Sequence, residues 1–211
     1  MSEAVARALI EIGAVGFSPQ NPITFKSGIV SPIYVDNRRL PYYPEQWQVI
    51  IQGFQALIEV DNIAFDVIAG VAVGGVPHSS ALGYAIQRPS VFVRKEAKGH
   101  GKGQRVEGGD IKDKTVLLVE DLVTTGGSSL SGVQALRDEG ALVDTLIAIV
   151  SYGFDDAQAN FASANVDLKT LTNFETILNI ALELEKFGQA EHDILSDWFS
   201  DPHGWASRHL K

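Results

Sequence analysis

The sequence predicts an α/β fold, with a central, mostly parallel sheet flanked by helices and a small flap at the amino terminus. Three observations carry this. Short apolar runs at residues 65–70, 90–94, 116–119, 141–150 and 166–171 alternate with stretches of helical period. The run Val116-Leu117-Leu118-Val119 is apolar without alternation, the pattern of a strand buried on both faces of a parallel sheet. It passes through Glu120 and Asp121, where the sheet is expected to stop, into a turn of hydroxyls and glycines, and Leu130, Val133 and Leu136 then begin a helical stripe. Ligands of such sheets bind at the carboxyl ends of the strands, so residues 120–129 are the first place to look for chemistry.

The remaining elements follow from period and punctuation. Val5, Leu9 and Ile12 give residues 2–14 an amphipathic helix, ended by Pro19 and Pro22. Residues 23–40, ITFKSGIVSPIYVDNRRL, break at Ser27-Gly28 and alternate through Ile33, Tyr34, Val35 and Asp36, which predicts a small antiparallel flap. Trp47, Ile50, Ile51, Phe54, Leu57 and Ile58 place a helix over 43–60. Residues 71–77 form a glycine-containing loop, and 78–86, 155–164 and 173–185 are further helices. The tail to Lys211 is polar, with Trp198 and Trp205 as docking points. The flap (about 1–42), the core (about 43–172) and the helical tail (about 173–211) make one domain, in keeping with 211 residues at 45% hydrophobic content.

Composition excludes several classes of function. Without cysteine there is no disulfide framework and no thiolate metal site, and His192, His203 and His209 lack zinc-ligand spacing, so they read as surface or packing residues. No apolar run approaches the roughly 18 residues of a membrane span, and the start MSEAVARALIEIGAV lacks a signal pattern; the chain reads as cytoplasmic, with no membrane partner. A net charge of −9 argues against nucleic acid as a partner. Gly127 is followed by Ser128 and Ser129 rather than by a lysine, and no stretch reads G-x-G-x-x-G, so neither a Walker A loop nor a dinucleotide fingerprint is present.

The turn after the central strand suits a phosphate. Gly126 and Gly127 let backbone N–H groups converge, Thr124, Thr125 and Ser128 add hydroxyl donors, and the helix start carries a partial positive charge of about 0.5. Two carboxylates beside an anion site repel the ligand unless they face its neutral diol or a bound cation. The implied ligand is a sugar phosphate with free hydroxyls, together with a metal. Residues 94–109, RKEAKGHGKGQRVEGG, gather Arg94, Lys95, Lys98, Lys102 and Arg105 among glycines in an otherwise acidic chain. The run is too polar for core and leaves the strand expected beside the phosphate turn. It reads as a mobile basic lid over a polyanion.

The order apolar strand, Glu-Asp, Thr-Thr-Gly-Gly-Ser and helix resembles the phosphoribosyl diphosphate signature of type I phosphoribosyltransferases. By itself that signature also permits a purine or xanthine enzyme, or a non-catalytic sensor of phosphoribosyl diphosphate. Together with Phe25-Lys26-Ser27-Gly28, with Ser31 to Arg38 and with Arg94 to Gly101, the chain resembles orotate phosphoribosyltransferases along nearly its whole length. The resemblance implies magnesium-dependent transfer of the 5-phosphoribosyl group to orotate, giving orotidine 5′-phosphate and diphosphate in pyrimidine synthesis. It assigns Lys26, Arg94, Lys95, Lys98, His100, Glu120, Asp121, Leu122, Val123, Thr124, Thr125, Gly126, Gly127 and Ser128 to the diphosphate donor and Lys26 and Thr124 to orotate. Lys98, His100 and Asp121 carry the catalysis, with no direct protein ligand assigned to Mg2+. It also implies a homodimer whose lids reach into the partner's site. Some members hold the orotate carboxylate with an arginine on the strand after the central helix and place a lysine in the first diphosphate loop. Here the matching stretches read Val150-Ser151-Tyr152-Gly153 and Val73-Gly74-Gly75-Val76-Pro77, which leaves Lys26 and the flap amides as candidates for the carboxylate.

Overall fold

The computed structural model describes residues 1–25, 28–96 and 104–210. Helix α1 (Ser2–Glu11) is followed by β1 (Val15–Phe17), β2 (Ile23–Thr24), β3 (Val30–Ser31) and β4 (Ile33–Val35). These pair antiparallel as β1 with β4 and β2 with β3, which is the expected flap. Gly28, at the hairpin break, has φ +88°, a left-handed conformation that glycine adopts without steric cost. A 3-10 turn at Asn37–Tyr42 leads into α2 (Pro44–Val60), whose proline occupies a first-turn position where a missing N–H is harmless.

The alternating part comprises β5 (Val67–Val71), α3 (Gly75–Ala85), β6 (Ser90–Val93), β7 (Val106–Glu107), β8 (Val116–Val123), α4 (Gly127–Asp138), β9 (Thr145–Ser151), α5 (Asp155–Ser163) and β10 (Asp167–Asn173). The sheet order is β10-β9-β8-β5-β6-β7, parallel except for β7. From β5 the chain winds outward to β6, then crosses to β8 and continues to β9 and β10. The crevice between the carboxyl ends of β5 and β8 is therefore the topological switch point. Both faces of the sheet are covered. Ile68, Leu117, Val119, Ile147 and Ile149 pack with α1, α2, α6 (Phe174–Glu183) and the tail, while Ala69, Leu118, Leu146 and Ala148 pack with Val133 and Leu136 of α4 and Phe161 of α5.

Three expectations need correction. First, the sheet does not stop at Glu120. Pairing of β8 with β9 continues through Glu120↔Ala148, Leu122↔Val150 and Val123↔Ser151, whereas pairing with β5 ends at Gly70↔Val119. An apolar run marks where a strand is buried, and cannot mark where polar residues keep pairing with a longer neighbour. Helix α4 accordingly starts at Gly127 rather than near Leu130.

Second, part of the basic run does pack. Val106 is buried, β7 extends the edge of β6, and Arg105 donates through Nε to the Arg94 carbonyl at 2.8 Å and through Nη1 to Ser131 Oγ at 3.1 Å. Glu139 Oε1 accepts from the Arg105 and Val106 N–H groups. Third, β6 is not beside β8 but one strand removed. Helix α4 spans the gap, packed so closely that a Cβ on Gly132 would lie 3.2 Å from Val93 Cγ1.

The tail docks through the two tryptophans that the sequence marked for it. Helices α7 (Gln189–Ser200) and α8 (Trp205–His209) bury Trp198 and Trp205 completely. The Trp198 Nε1–H donates to the Val30 carbonyl at 2.7 Å, and its ring meets Phe25, Tyr152, Phe154 and Phe199 edge to face. His209 bonds Asp197 and stacks on Trp205, a packing role; His203 is exposed.

Trp198→Ala is expected to destabilise the protein by about 3–5 kcal/mol, from lost burial and an unfilled cavity. Trp198→Phe, which keeps most of the volume and loses only the bond to Val30, is expected to cost about 1–3 kcal/mol. Urea unfolding of both variants checks the order. A Trp198→Phe variant as stable as the parent would show that the indole N–H contributes nothing to holding the tail under the flap.

Candidate active site

At the switch point the chain places two carboxylates side by side. Glu120 is 5% exposed and Asp121 half-buried. Glu120 Oε1 accepts the Asp121 N–H at 3.1 Å, and Ser129 Oγ, turned inward from the first turn of α4, donates to Glu120 Oε2 at 3.3 Å. Burial pushes the Glu120 carboxyl well above its ordinary range, and the neighbouring Asp121 charge pushes it further. Asp121 is also raised by burial, offset by its hydrogen bonds to Glu120 and the backbone and by the Arg38 cation. The inner acid thus holds its proton more tightly than an exposed carboxyl does. The outer acid, Asp121, is the more exposed of the two.

Two close approaches shape the crevice on the β5 side. A Cβ on Gly74 would lie 2.3 Å from Asp121 Oδ1, and one on Gly75 would lie 2.4 Å from the Val119 carbonyl oxygen. Only glycine lets the loop after β5 touch the end of β8 at both points. The Ala72–Val73 peptide within this loop is cis. Helix α3 then begins directly, and in its first turns the buried His78 accepts the Trp47 Nε1–H on Nδ1 at 2.9 Å. Burial lowers the pKa of His78 to about 4, so at neutral pH it is an uncharged brace between α2 and α3.

The turn at 124–128 is built as a cup. Gly126 has φ +83°, and a Cβ there would come within 2.8 Å of Phe161 Cε2, so both conformation and space call for glycine. The Gly126 carbonyl accepts the Leu130 N–H at 2.8 Å, which leaves the N–H groups before Leu130 at the open start of α4. Asn160 Nδ2 donates to the Thr125 carbonyl at 3.1 Å and ties the cup to α5. Leu122 is half-buried, and Val123 is buried in the core.

The flap closes the crevice from above. Asn37 is 1% exposed and donates through Nδ2 to the Asp121 carbonyl at 2.7 Å. Arg38 donates to Asp36 at 2.6 Å and to the Tyr34 hydroxyl at 3.3 Å. Across from Tyr34, the loop after β9 supplies Tyr152, whose ring stacks on Phe154 and Phe174. Burial, with a smaller contribution from Tyr34, raises the Tyr152 hydroxyl well above its ordinary range. Beside it a cavity of about 510 Å³ opens between Asn173, Phe174, His192 and Phe199.

Of the residues singled out in the sequence, Glu120 to Ser128 form one continuous strand end and cup. Arg94 and Lys95 follow β6, with Arg94 Nη1 paired to Glu107 at 2.9 Å. Lys26, Lys98 and His100 lie outside the described residues. Sequence reasoning assigned no role to Asn37, Ser129, Gly74, Gly75 or Tyr152. Gly74-Gly75 after a buried run was the available signal for the loop. An asparagine in a flap has none, because its partner lies 84 positions away.

Comparison with known proteins gives a consistent picture. Residues 44–179 match the phosphoribosyl transferase domain family. The chain is 39% identical over 201 residues to the orotate phosphoribosyltransferase of Coxiella burnetii, covering 95% of this chain and 96% of that one. Among solved structures, orotate phosphoribosyltransferase from Aeropyrum pernix superposes with a TM-score of 0.75 at 31% identity, over 87% of this chain and 99% of that one. The UMP synthase of Leishmania donovani superposes with a TM-score of 0.82 at 26% identity, over 94% of this chain and 42% of the longer one.

The raised Glu120 pKa makes a signed prediction. Above about 4.5, the ordinary value, the unfolded chain has lost the proton that the folded protein still holds, so this group's contribution to stability falls as pH rises until the folded pKa is passed. Glu120→Gln keeps an acceptor for the Asp121 N–H and removes the buried charge. Its stability advantage over the parent is expected to widen with pH from about 4.5 upward and then level off, as read from urea midpoints in the absence of ligand. An advantage that narrows with pH would contradict the burial argument.

Proposed function

This chain belongs to the phosphoribosyltransferase family, among the orotate phosphoribosyltransferases, and from that premise we propose that it is the enzyme transferring 5-phosphoribose from its 1-diphosphate to a ring nitrogen of orotate. The products are orotidine 5′-phosphate and diphosphate, a step in pyrimidine synthesis. The reading rests above all on one arrangement: an acid pair and a phosphate-shaped cup, consecutive in sequence, at the switch point of the sheet. It is supported by relatives of the same length that bear this name.

In this reading the cup from Thr124 to Ser128 anchors the 5-phosphate through backbone N–H groups and hydroxyls. Asp121 accepts from the ribose hydroxyls, and its charge favours the cationic character that grows on the sugar as the bond to diphosphate breaks. No covalent nucleophile is required. Arg94 and Lys95, with Lys26, Lys98 and His100, neutralise the departing diphosphate, while Thr124 and Lys26 meet the base. Anchoring groups remote from the reacting carbon fix its position.

A magnesium ion fits this site as a cation carried by the donor. Mg2+ keeps several waters and binds through substrate phosphates with few protein oxygens, and Asp121, the more exposed acid of the pair, would be the carboxylate available to it or to its waters. When bound, it supplies charge neutralisation for the leaving group. We further propose a cytoplasmic homodimer in which each lid serves the partner's site. Among the described residues no helix is long and apolar enough to cross a membrane.

Loss of orotate absorbance that requires both the diphosphate donor and magnesium tests the reaction. The absence of turnover, or a preference for a purine, would overturn the assignment. Asp121→Asn should lower turnover by about a hundredfold, the usual loss on removing a group aimed at developing charge. An effect within twofold would refute that role. For the shared site, subunits carrying Lys98→Ala mixed with subunits carrying Asp121→Asn should regain activity, because one site in each heterodimer has an intact lid and an intact floor. No recovery in heterodimers verified by mass spectrometry would exclude lid exchange.

A further inference from the structure

Asp121 is the more exposed of the two crevice carboxylates, and contacts from outside the sheet fix its position. Because β5 pairs with β8 only as far as Val119, the edge of β8 facing β5 has no strand beside it at Asp121. Glu120 Oε1 takes the Asp121 N–H at 3.1 Å, and the carboxylate lies directly over Gly74. The Asp121 carbonyl is taken by Asn37 Nδ2 at 2.7 Å, the contact that reaches it from the flap.

Asn37 is a costly residue to place there. It is 1% exposed, and its Oδ1 is buried without a hydrogen-bond partner among the described residues. A buried amide whose oxygen has no partner lowers stability, and an apolar side chain in the same space would avoid that loss. The feature that distinguishes asparagine here is the N–H that reaches the Asp121 carbonyl. The neighbouring Arg38, on the same turn, lowers the Asp121 carboxyl electrostatically, so this segment acts on both the position and the charge of the acid.

We propose that Asn37 is a positioning residue for phosphoribosyl transfer. By gripping the Asp121 peptide from the flap, it holds the carboxylate at the ribose hydroxyls and makes the placement of the flap and of the ribose floor a single event. The proposal rests on the transferase reading above. Asn37 touches neither substrate nor the reacting atoms; it acts through Asp121, and its effect must vanish when the Asp121 charge is absent.

The test is a double-mutant cycle. Asn37→Ala and the near-isosteric Asn37→Asp, which lacks the N–H, are each made in the parent and in Asp121→Asn, and kcat/KM for the diphosphate donor, orotate KM, donor affinity by calorimetry and melting temperature are measured. Each is expected to lower kcat/KM for the donor by about tenfold in the parent and by less than about twofold in Asp121→Asn, with orotate KM within about twofold throughout. A merely structural residue would instead give losses that multiply in the double variant, and that result would overturn the proposal. If Asn37→Ala does not fold, Asn37→Asp alone completes the cycle. Failure of the transferase reading looks different: the parent itself would not consume orotate, while donor calorimetry would still report whether positions 37 and 121 are coupled.

Discussion

Two adjacent carboxylates withdrawn from water are the constraint on which the rest of this structure turns. Alone, such a pair is unfavourable: burial penalises both charges, and the Asp121 charge adds to the cost of ionising Glu120. The surrounding residues are those that make the pair tolerable without quenching it. Ser129 and the Asp121 N–H bond the inner acid, Arg38 offsets the outer one, and Gly74 admits its carboxylate at a distance that no side chain would permit. A ligand bearing hydroxyls or a cation relieves what remains. Stability given up in the free protein is in this way available as selectivity for a ligand.

That arrangement depends on unequal strand lengths. If β5 ran as far as β9 along β8, the Asp121 carbonyl would face a ladder partner and the crevice would be filled. Because β5 turns away after Val71, into glycines and the helix braced by His78 and Trp47, space opens where two helices begin close together. The open start of α4 and the acid pair thus face the same gap, and a single molecule bearing both a phosphate and a diol can meet both.

Two part-buried hydrogen bonds tie the flap to different parts of the chain. Trp198 in α7 bonds the Val30 carbonyl, and Asn37 bonds the Asp121 carbonyl. Between them, Phe25, Tyr152, Phe154, Phe174 and Phe199 form a continuous aromatic cluster that joins flap, sheet and tail. The tail therefore stabilises the roof of the site as well as the core, and Tyr152 stands at the junction.

The alternation of strand and helix, the buried central strand, the acid pair and the glycine-hydroxyl cup were all legible in the sequence, because each is a local pattern whose physical meaning does not depend on distant residues. Hydrophobic period, a carboxylate pair and the φ freedom of Gly126 are properties of short stretches. What only the tertiary structure decided are the features made between stretches. The continuation of β8 past Glu120 depends on the length of β9; the burial of Val106, Trp198 and Trp205 depends on an exposed edge or face elsewhere; and the role of Asn37 depends on a carbonyl 84 residues away. Polar residues in irregular segments carry no period, so their partners are fixed by packing geometry alone, and the contacts that hold Asp121 in place are made by such residues.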